Sequence, residues 1–198
     1  LRRSRQTAGS ASLATLAVTL IVGLWPTLPL ASTIAAPSFS EILNESSLIF
    51  RGRTLHSSSD WRLASGGRVI VTLVTFAVER VLKGEASRVI ELEFLGGSVG
   101  GVMMHVAAIP VFAVGDRDVL FVNPRGRPVS PLVGIMFGRF RIEQDAYGRE
   151  WVKAFDGTPF DRVEEIRAHI STRARFTRGM PLGEFEAQVL RTLRQQAR

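Results

Sequence analysis

The chain has 198 residues, of which 45% are hydrophobic and 22% are charged, and its formal net charge is +7. This composition is typical of a globular domain and excludes an intrinsically disordered chain, which would have fewer apolar residues and a larger charge excess. The sequence contains no cysteine, which excludes disulfide bonds, thiol catalysis and a lipid-modified cysteine.

Residues 1–35 have the organisation of a secretory signal peptide. Three arginines within the first five residues precede an apolar run over 13–24, and small residues cover 31–36. The apolar run is shorter than the ~20 residues of a membrane-spanning helix. We therefore expect cleavage after Ala35 and export to the periplasm or the medium, without stable membrane insertion. Retention of the segment as a membrane anchor is the alternative.

A short helix and a strand are predicted at the start of the mature chain. Ser38 and Glu41 have the spacing of a capping box ahead of an apolar face, which predicts a helix over 38–46. A strand is predicted over 48–54. The polar run over 57–60 is then predicted to be a loop.

The strongest strand patterns cover residues 68–82 and 89–95. In both, apolar side chains alternate with polar ones, as in a sheet with one buried face. Glu91 and Glu93 are expected to lie on the solvent side. Two such strands, joined by a short turn, favour antiparallel pairing.

The middle of the chain alternates between short strands and glycine-rich or proline-rich loops. A flexible loop is predicted over 96–101 and an exposed loop over 123–131. Strands are predicted over 102–106, 118–122, 137–143 and 151–155, the last two as a hairpin.

The last 38 residues favour helices. Asp161 and Glu164 are placed to cap a first helix, and Pro181 is placed to begin a second. The second helix has an apolar stripe over 182–193, which we expect to pack on the β domain.

Together these elements predict a mainly β fold: a small closed or partly open antiparallel barrel with a short N-terminal helix and a C-terminal helical hairpin. The predicted domains are a signal peptide (1–35), a β-barrel domain (36–160) and a helical extension (161–198).

Three segments, in this order along the chain, resemble the motifs of netrin-like domains. Residues 74–84 match V-x-F-x-V-x-x-V-L-K-G, residues 110–121 match P-x-F-x-V-G-[DE]-x-x-x-L-F, and residues 138–142 resemble G-x-F-x-V. Netrin-like domains are oligonucleotide/oligosaccharide-binding (OB) type barrels, also found in tissue inhibitors of metalloproteinases. The likeness is strongest to uncharacterised exported bacterial proteins of this layout and covers residues 46–143.

This resemblance implies an OB-type barrel and a general role in protein binding. The animal domains are disulfide-linked, and the inhibitors chelate the catalytic zinc of the protease through an N-terminal cysteine. Here the mature chain would begin with Ala36 and Pro37, and it has no cysteine. The inhibitory device therefore does not carry over.

The segment 96–100 matches the G-x-S-x-G nucleophile elbow of serine hydrolases. In this alternative Ser98 is the nucleophile and His169 is the base. Three aspartates are candidates to orient the base: Asp116, Asp156 and Asp161. The elbow must follow a strand buried on both faces, whereas the preceding strand carries Glu91 and Glu93. We therefore favour a glycine-rich β-turn and assign no catalytic residue.

Metal and nucleic-acid sites are not predicted. His56, His105 and His169 are widely spaced, so we expect neither a metal site nor a cofactor. Without the three N-terminal arginines, 22 basic and 18 acidic residues remain, a net charge of +4. Arg139 and Arg141 share one face of a predicted strand without interleaved aromatics, which favours a solvated face and no nucleic-acid partner.

These observations predict an exported, non-enzymatic binding or structural module whose partner is an unknown envelope or extracellular protein. A small secreted serine hydrolase using Ser98 is the first alternative. A protease-binding protein, by analogy with the inhibitors, is the second. Loops on a rigid scaffold usually carry recognition. The predicted contact residues are Gly96, Gly97, Ser98, Gly100, Gly101, Arg125 and Arg127.

Overall fold

A computed structural model of the chain describes residues 36–123, 129–167 and 177–196. The predicted signal peptide lies outside these ranges. No helix within them is long and apolar enough to cross a membrane. The elements, in chain order, are α1 (Phe39–Glu45), β1 (Leu48–Ala64), β2 (Gly67–Lys83), β3 (Val89–Leu95), β4 (Gly97–Val99), β5 (Val102–Met104), β6 (Arg117–Val122), β7 (Arg139–Gln144), β8 (Glu150–Lys153), a 3₁₀-helix (Val163–Arg167), β9 (Met180–Pro181) and α2 (Leu182–Gln196).

Seven strands form one antiparallel sheet in the order β3-β2-β1-β6-β7-β8-β9. A second sheet consists of β4 and β5. The prediction of a mainly β, antiparallel fold is confirmed. Within the described residues the paired strands do not close into a ring, because β3 and β9 form the two ends of the order.

The strands β1 and β2 form a long two-stranded ribbon that is longer than predicted. The pairing runs from Ile49 opposite Lys83 to Ala64 opposite Gly67, with irregularities that include a shift between Thr54 and His56. The predicted loop over 57–60 is therefore wrong. These polar residues continue β1 because each pairs with an apolar or β-branched residue of β2 over 71–74.

Two apolar clusters lie on opposite faces of the main sheet, because successive strand residues point to opposite sides. Along β6, Val119 and Phe121 belong to the first cluster, and Leu120 and Val122 belong to the second. The second cluster lies on one face of the β1–β3 segment and includes Phe50, Val74, Phe76, Leu92, Phe94, Phe112 and Leu132. As predicted, Glu91 and Glu93 are exposed, while Leu92 and Phe94 are buried.

The helices cover the first cluster. The capping box of α1 is confirmed, since the Ser38 hydroxyl accepts from the Glu41 N–H and the Ser38 N–H donates to the Glu41 carboxylate. The predicted apolar stripe of α2 also packs into this cluster, with Leu182, Phe185 and Val189 buried. The C-terminal segment thus shares a core with α1 and the sheet.

The first half of the predicted helical hairpin differs from expectation. In the described residues it is a 3₁₀-helix, Val163–Arg167, whose Val163 and Ile166 are buried in the first cluster. Asp161 donates its backbone N–H to the Glu165 carboxylate, which holds the helix start. The predicted position of the second helix is confirmed, because α2 begins directly after Pro181.

Candidate functional site

The glycine-rich segment after β3 is a β-hairpin and not the predicted flexible loop. Its strands β4 and β5 are joined by Gly100 and Gly101, whose φ angles are +57° and +82°. Two consecutive left-handed residues are what a tight two-residue hairpin turn requires, and glycine adopts them without steric cost. The turn is therefore encoded by these two glycines.

The hairpin is fixed against the β1–β2 ribbon by hydrogen bonds. The Gly96 N–H donates to the Ile70 carbonyl over 2.8 Å, and the Thr72 hydroxyl donates to the Gly96 carbonyl over 2.6 Å. The hydroxyls of Ser59 and Thr72 lie 2.9 Å apart directly beneath Gly97. A Cβ at Gly97 would overlap both hydroxyls, so only glycine permits this close approach.

A cavity of about 310 Å³ lies between this hairpin, the ribbon and the segment that follows β5. Its walls are mainly apolar, with hydroxyls from β1 and β2 on one side and His105 on the other. The lining residues are Ser57, Ser59, Thr72, Val74, Phe94, Leu95, Gly96, Gly97, Ser98, Met103, Met104, His105, Val106, Ile109, Pro110, Val111 and Phe112.

Large apolar side chains project into solvent at the mouth of the cavity. Met103 is 76% exposed and Val111 is 86% exposed, and both line the cavity. Their neighbours Val102 and Val114 are also exposed but are not among the lining residues. Exposed apolar side chains around a concave apolar site are typical of interaction surfaces. We call Met103 and Val111 the cavity rim.

The wall that carries Val111 is held by a buried arginine. Arg139 is only 4% exposed, and its guanidinium donates to both carboxylate oxygens of Asp118, over 2.8 and 3.2 Å. It also donates to the Asp116 carboxylate over 2.9 Å and to the Val111 carbonyl over 2.7 Å. The prediction of a solvated face is therefore wrong for Arg139, because the pairing of β6 with β7 brings Asp118 near it, and Asp116 lies just before β6.

Burial raises the pKa of the Asp118 carboxyl, while the adjacent Arg139 acts in the opposite direction. The carboxylate oxygens of Asp118 have no other cation within ion-pair distance among the described residues. The charge of Asp118 is therefore tolerated in the interior because Arg139 is present, whereas Arg139 has both Asp118 and Asp116 as partners.

Ser98 does not lie in a nucleophile elbow. It is an exposed residue in the middle of β4, and the chain continues from it into a turn and a second strand. An elbow requires a strand, a sharp turn and a helix. Of its proposed partners, His169 lies outside the described residues. The Asp116 carboxylate accepts from Arg139 and from the Ala113 N–H, and Asp156 accepts from the Thr158 N–H in a turn.

The predicted contact residues fall into three groups. Gly96, Gly97 and Ser98 line the cavity, whereas Gly100 and Gly101 form the hairpin turn. The loop residues Arg125 and Arg127 lie outside the described residues. The prediction of an exposed loop over 123–131 is wrong at its C-terminal end, where Ser130 and Pro131 are buried.

The cavity rim and the wall over 105–112 were not predicted from the sequence. The sequence did contain a signal for the hairpin that carries Met103. Two consecutive glycines, Gly100 and Gly101, between two short segments are typical of a tight hairpin turn. His105 lines the cavity, but no group of three or more His, Asp or Glu side chains in the described ranges is arranged to hold a metal ion.

A comparison of the chain with models of known protein families and with curated protein sequences found no match.

Proposed function

We propose that this chain is an exported, non-enzymatic binding module that recognises a partner protein through the cavity beneath the β4–β5 hairpin. The partner inserts an apolar side chain between Met103 and Val111. The observation that carries this proposal is the cavity rim, which exposes two large apolar side chains at the mouth of an apolar cavity. Covering these side chains with apolar surface is favourable by about 25 cal/mol per Å².

The two strand edges near this site differ in a way that supports a protein partner. The outer edge of the main sheet, β3, carries Glu91 and Glu93, and such charges discourage pairing with another chain. The hairpin strand β5 carries no charge and no proline. Its outer edge is unpaired among the described residues, so an extended segment of a partner fits beside Met103.

We also propose a netrin-like, partly open OB-type barrel for the main sheet. The Leu95 N–H at the end of β3 donates to the Val129 carbonyl over 2.9 Å, and Leu132 forms a bridge with Val122 of β6. These bonds connect the β3 edge towards β6 through the segment 129–132. They support a curled sheet that encloses the second apolar cluster.

Support for a non-enzymatic role comes from the setting of Ser98. Its hydroxyl lies on an exposed hairpin strand, and the hydrolase alternative needs it on a strand–turn–helix junction. The protease-binding alternative rests on the family resemblance alone. Identification of the partner as a protease or as another protein would test it. Export rests on the signal-peptide pattern of residues 1–35.

The test is site-specific photocrosslinking in cells that produce the full chain. The photoreactive residue p-benzoylphenylalanine replaces Val111 at the rim or, as the matched control, Val114, which is 70% exposed but does not line the cavity. We expect one discrete protein adduct from position 111, its loss when Met103→Glu is added, and no such adduct from position 114. The mature protein should begin at Ala36.

Equal adducts from positions 111 and 114, or an adduct that survives Met103→Glu, would overturn the proposed site. Absence of any adduct from position 111, with folded protein present in the envelope or medium, would overturn the protein-binding function. Cleavage elsewhere, or retention of residues 1–35, would contradict only the expected processing.

A further inference from the structure

The segment over 105–116, which contains the cavity wall over 105–112, has no regular secondary structure of its own. It leaves β5, passes through Ala108 at a φ of +67°, and rejoins the sheet at β6. Such a segment depends on side-chain contacts for its position, because few backbone hydrogen bonds hold it. The side-chain contacts of this segment therefore determine the position of the cavity wall.

The far end of this segment is tied to β1. The Thr54 N–H donates to the Asp116 carbonyl over 2.8 Å, and the Gly115 N–H donates to the Thr54 carbonyl over 2.9 Å. In the middle of the segment, the Phe112 ring packs against Phe76 and Phe94 with centroid distances of 5.2 Å. None of these contacts involves the backbone of Val111, which is held by a different side chain.

That side chain is Arg139. Its Nη1 donates to the Val111 carbonyl over 2.7 Å, its Nη2 donates to the Asp116 carboxylate over 2.9 Å, and its Cζ lies 4.2 Å from the centre of the Phe112 ring. One buried side chain on β7 thus contacts the wall at three residues. The other edge of the same guanidinium is fixed on Asp118.

Arginine can form all of these contacts at the same time because its guanidinium group is planar and has several donors. A guanidinium carries five donors in fixed directions and stacks on an aromatic face, whereas a lysine ammonium is a single charge that cannot form a two-pronged pair with a carboxylate. A lysine at position 139 would preserve the charge opposite Asp118. It would lose the bonds that fix the wall.

We infer that Arg139 is a positioning residue for the partner site: it sets the place of Val111 and thereby the affinity for the partner, without being among the residues that line the cavity. This inference rests on the proposed function for its effect on binding. Its structural part, the control of the wall by Arg139, is measurable without any partner.

Amide hydrogen exchange on the protein, purified from cells that produce the full chain, tests the structural part. In Arg139→Lys we expect the amides over 111–116 to exchange about tenfold faster than in the wild type, with the amides of the β1–β2 ribbon unchanged. Asp116→Asn, which removes the charge of a wall contact of Arg139 and leaves the pair with Asp118, should give a smaller acceleration over the same residues. The control Arg141→Lys, on the same strand, should leave exchange over 111–116 unchanged.

Unchanged exchange over 111–116 in both variants would overturn the inference, as would a uniform acceleration across the ribbon and the wall. If Arg139→Lys does not fold, Asp116→Asn decides. In cells, the adduct from p-benzoylphenylalanine at position 111 should fall about tenfold in Arg139→Lys but not in Arg141→Lys. If the wild type gives no adduct while the exchange result holds, the proposed function fails and the positioning role stands.

Discussion

The carboxylate of Glu186 on α2 accepts a 2.8 Å hydrogen bond from the guanidinium of Arg51 on β1. Glu186 is 3% exposed and also pairs with Arg80 of β2, so it joins the C-terminal helix to two strands of the ribbon. A buried carboxylate requires such partners, because removing it from water is costly otherwise. The docking of α2 is therefore specified by charge as well as by its apolar stripe.

Replacing Glu186 with alanine should destabilise the fold by about 1–3 kcal/mol, because Arg51 and Arg80 then lose the buried carboxylate that joins α2 to the ribbon. The matched control is Glu184→Ala, an exposed glutamate on the same helix. Urea unfolding measures both changes. Equal losses of stability in the two variants would contradict the role of Glu186.

The aromatic contacts of Phe185 predict a larger loss. Its fully buried ring packs against the rings of Phe39, Phe121, Phe140 and Phe160, with centroid distances of 5.0 to 6.4 Å. Phe185→Ala should cost about 3–5 kcal/mol through lost burial and a residual cavity. Phe185→Leu should cost less than the alanine variant, and thermal unfolding compares the two. Near-wild-type stability of Phe185→Ala would show that α2 is dispensable for the core.

The hairpin turn offers a test of backbone conformation alone. A Cβ would meet nothing within 4 Å at either Gly101 or Gly66, but only Gly101 has a positive φ angle. Gly101→Val should therefore destabilise the hairpin by about 1–2 kcal/mol, since a β-branched residue is strained in the left-handed region. Gly66→Val should not affect the hairpin. Hydrogen exchange of the Val99–Met103 amides measures the difference, and similar exchange in both variants would refute the assigned turn.

The carboxylate of Glu79 predicts part of the acid sensitivity of the protein. A side-chain hydrogen bond from Arg117, together with the positive charges of Arg117, Arg51 and Arg53, holds the pKa of Glu79 below its usual 4.5, and burial opposes this effect. The folded state therefore binds this proton less readily than the unfolded state does, so Glu79 contributes stability above pH 4.5 that is lost as the pH falls through the lower folded pKa.

Glu79→Gln should remove that dependence. The variant should be less stable than the wild type near neutral pH, and the difference should shrink as the pH falls below 4.5. Unfolding midpoints measured across this pH range give the comparison. A difference that stays constant or grows on acidification would contradict the assigned role of Glu79.

Local patterns were sufficient to predict most elements of the fold. The alternation over 89–95 correctly placed Glu91 and Glu93 in solvent, and the spacing of Ser38 and Glu41 correctly placed the start of α1. These features depend on residues close together in the chain. Apolar periodicity and capping chemistry report on such short ranges directly.

Features that depend on distant partners were not predictable in the same way. The polar run over 57–60 becomes strand because it pairs with residues of β2. Arg139 is buried because Asp118 of β6 and Asp116, just before β6, lie beside it. Because these residues are polar or charged, their composition alone predicts that they are exposed to solvent. The cavity has the same origin, since its walls come from four separate segments between residues 57 and 112.

The shared strand β1 has a consequence for synthesis of the chain. One edge of β1 pairs with β2, which follows after only a two-residue connection and is therefore synthesised soon afterwards. The other edge pairs with β6, which begins only at Arg117. Until that point has been translated, the backbone groups of residues 48–53 on this side are open to pairing with another chain. Truncation before residue 117 should therefore yield a product that aggregates, even though it contains the complete ribbon.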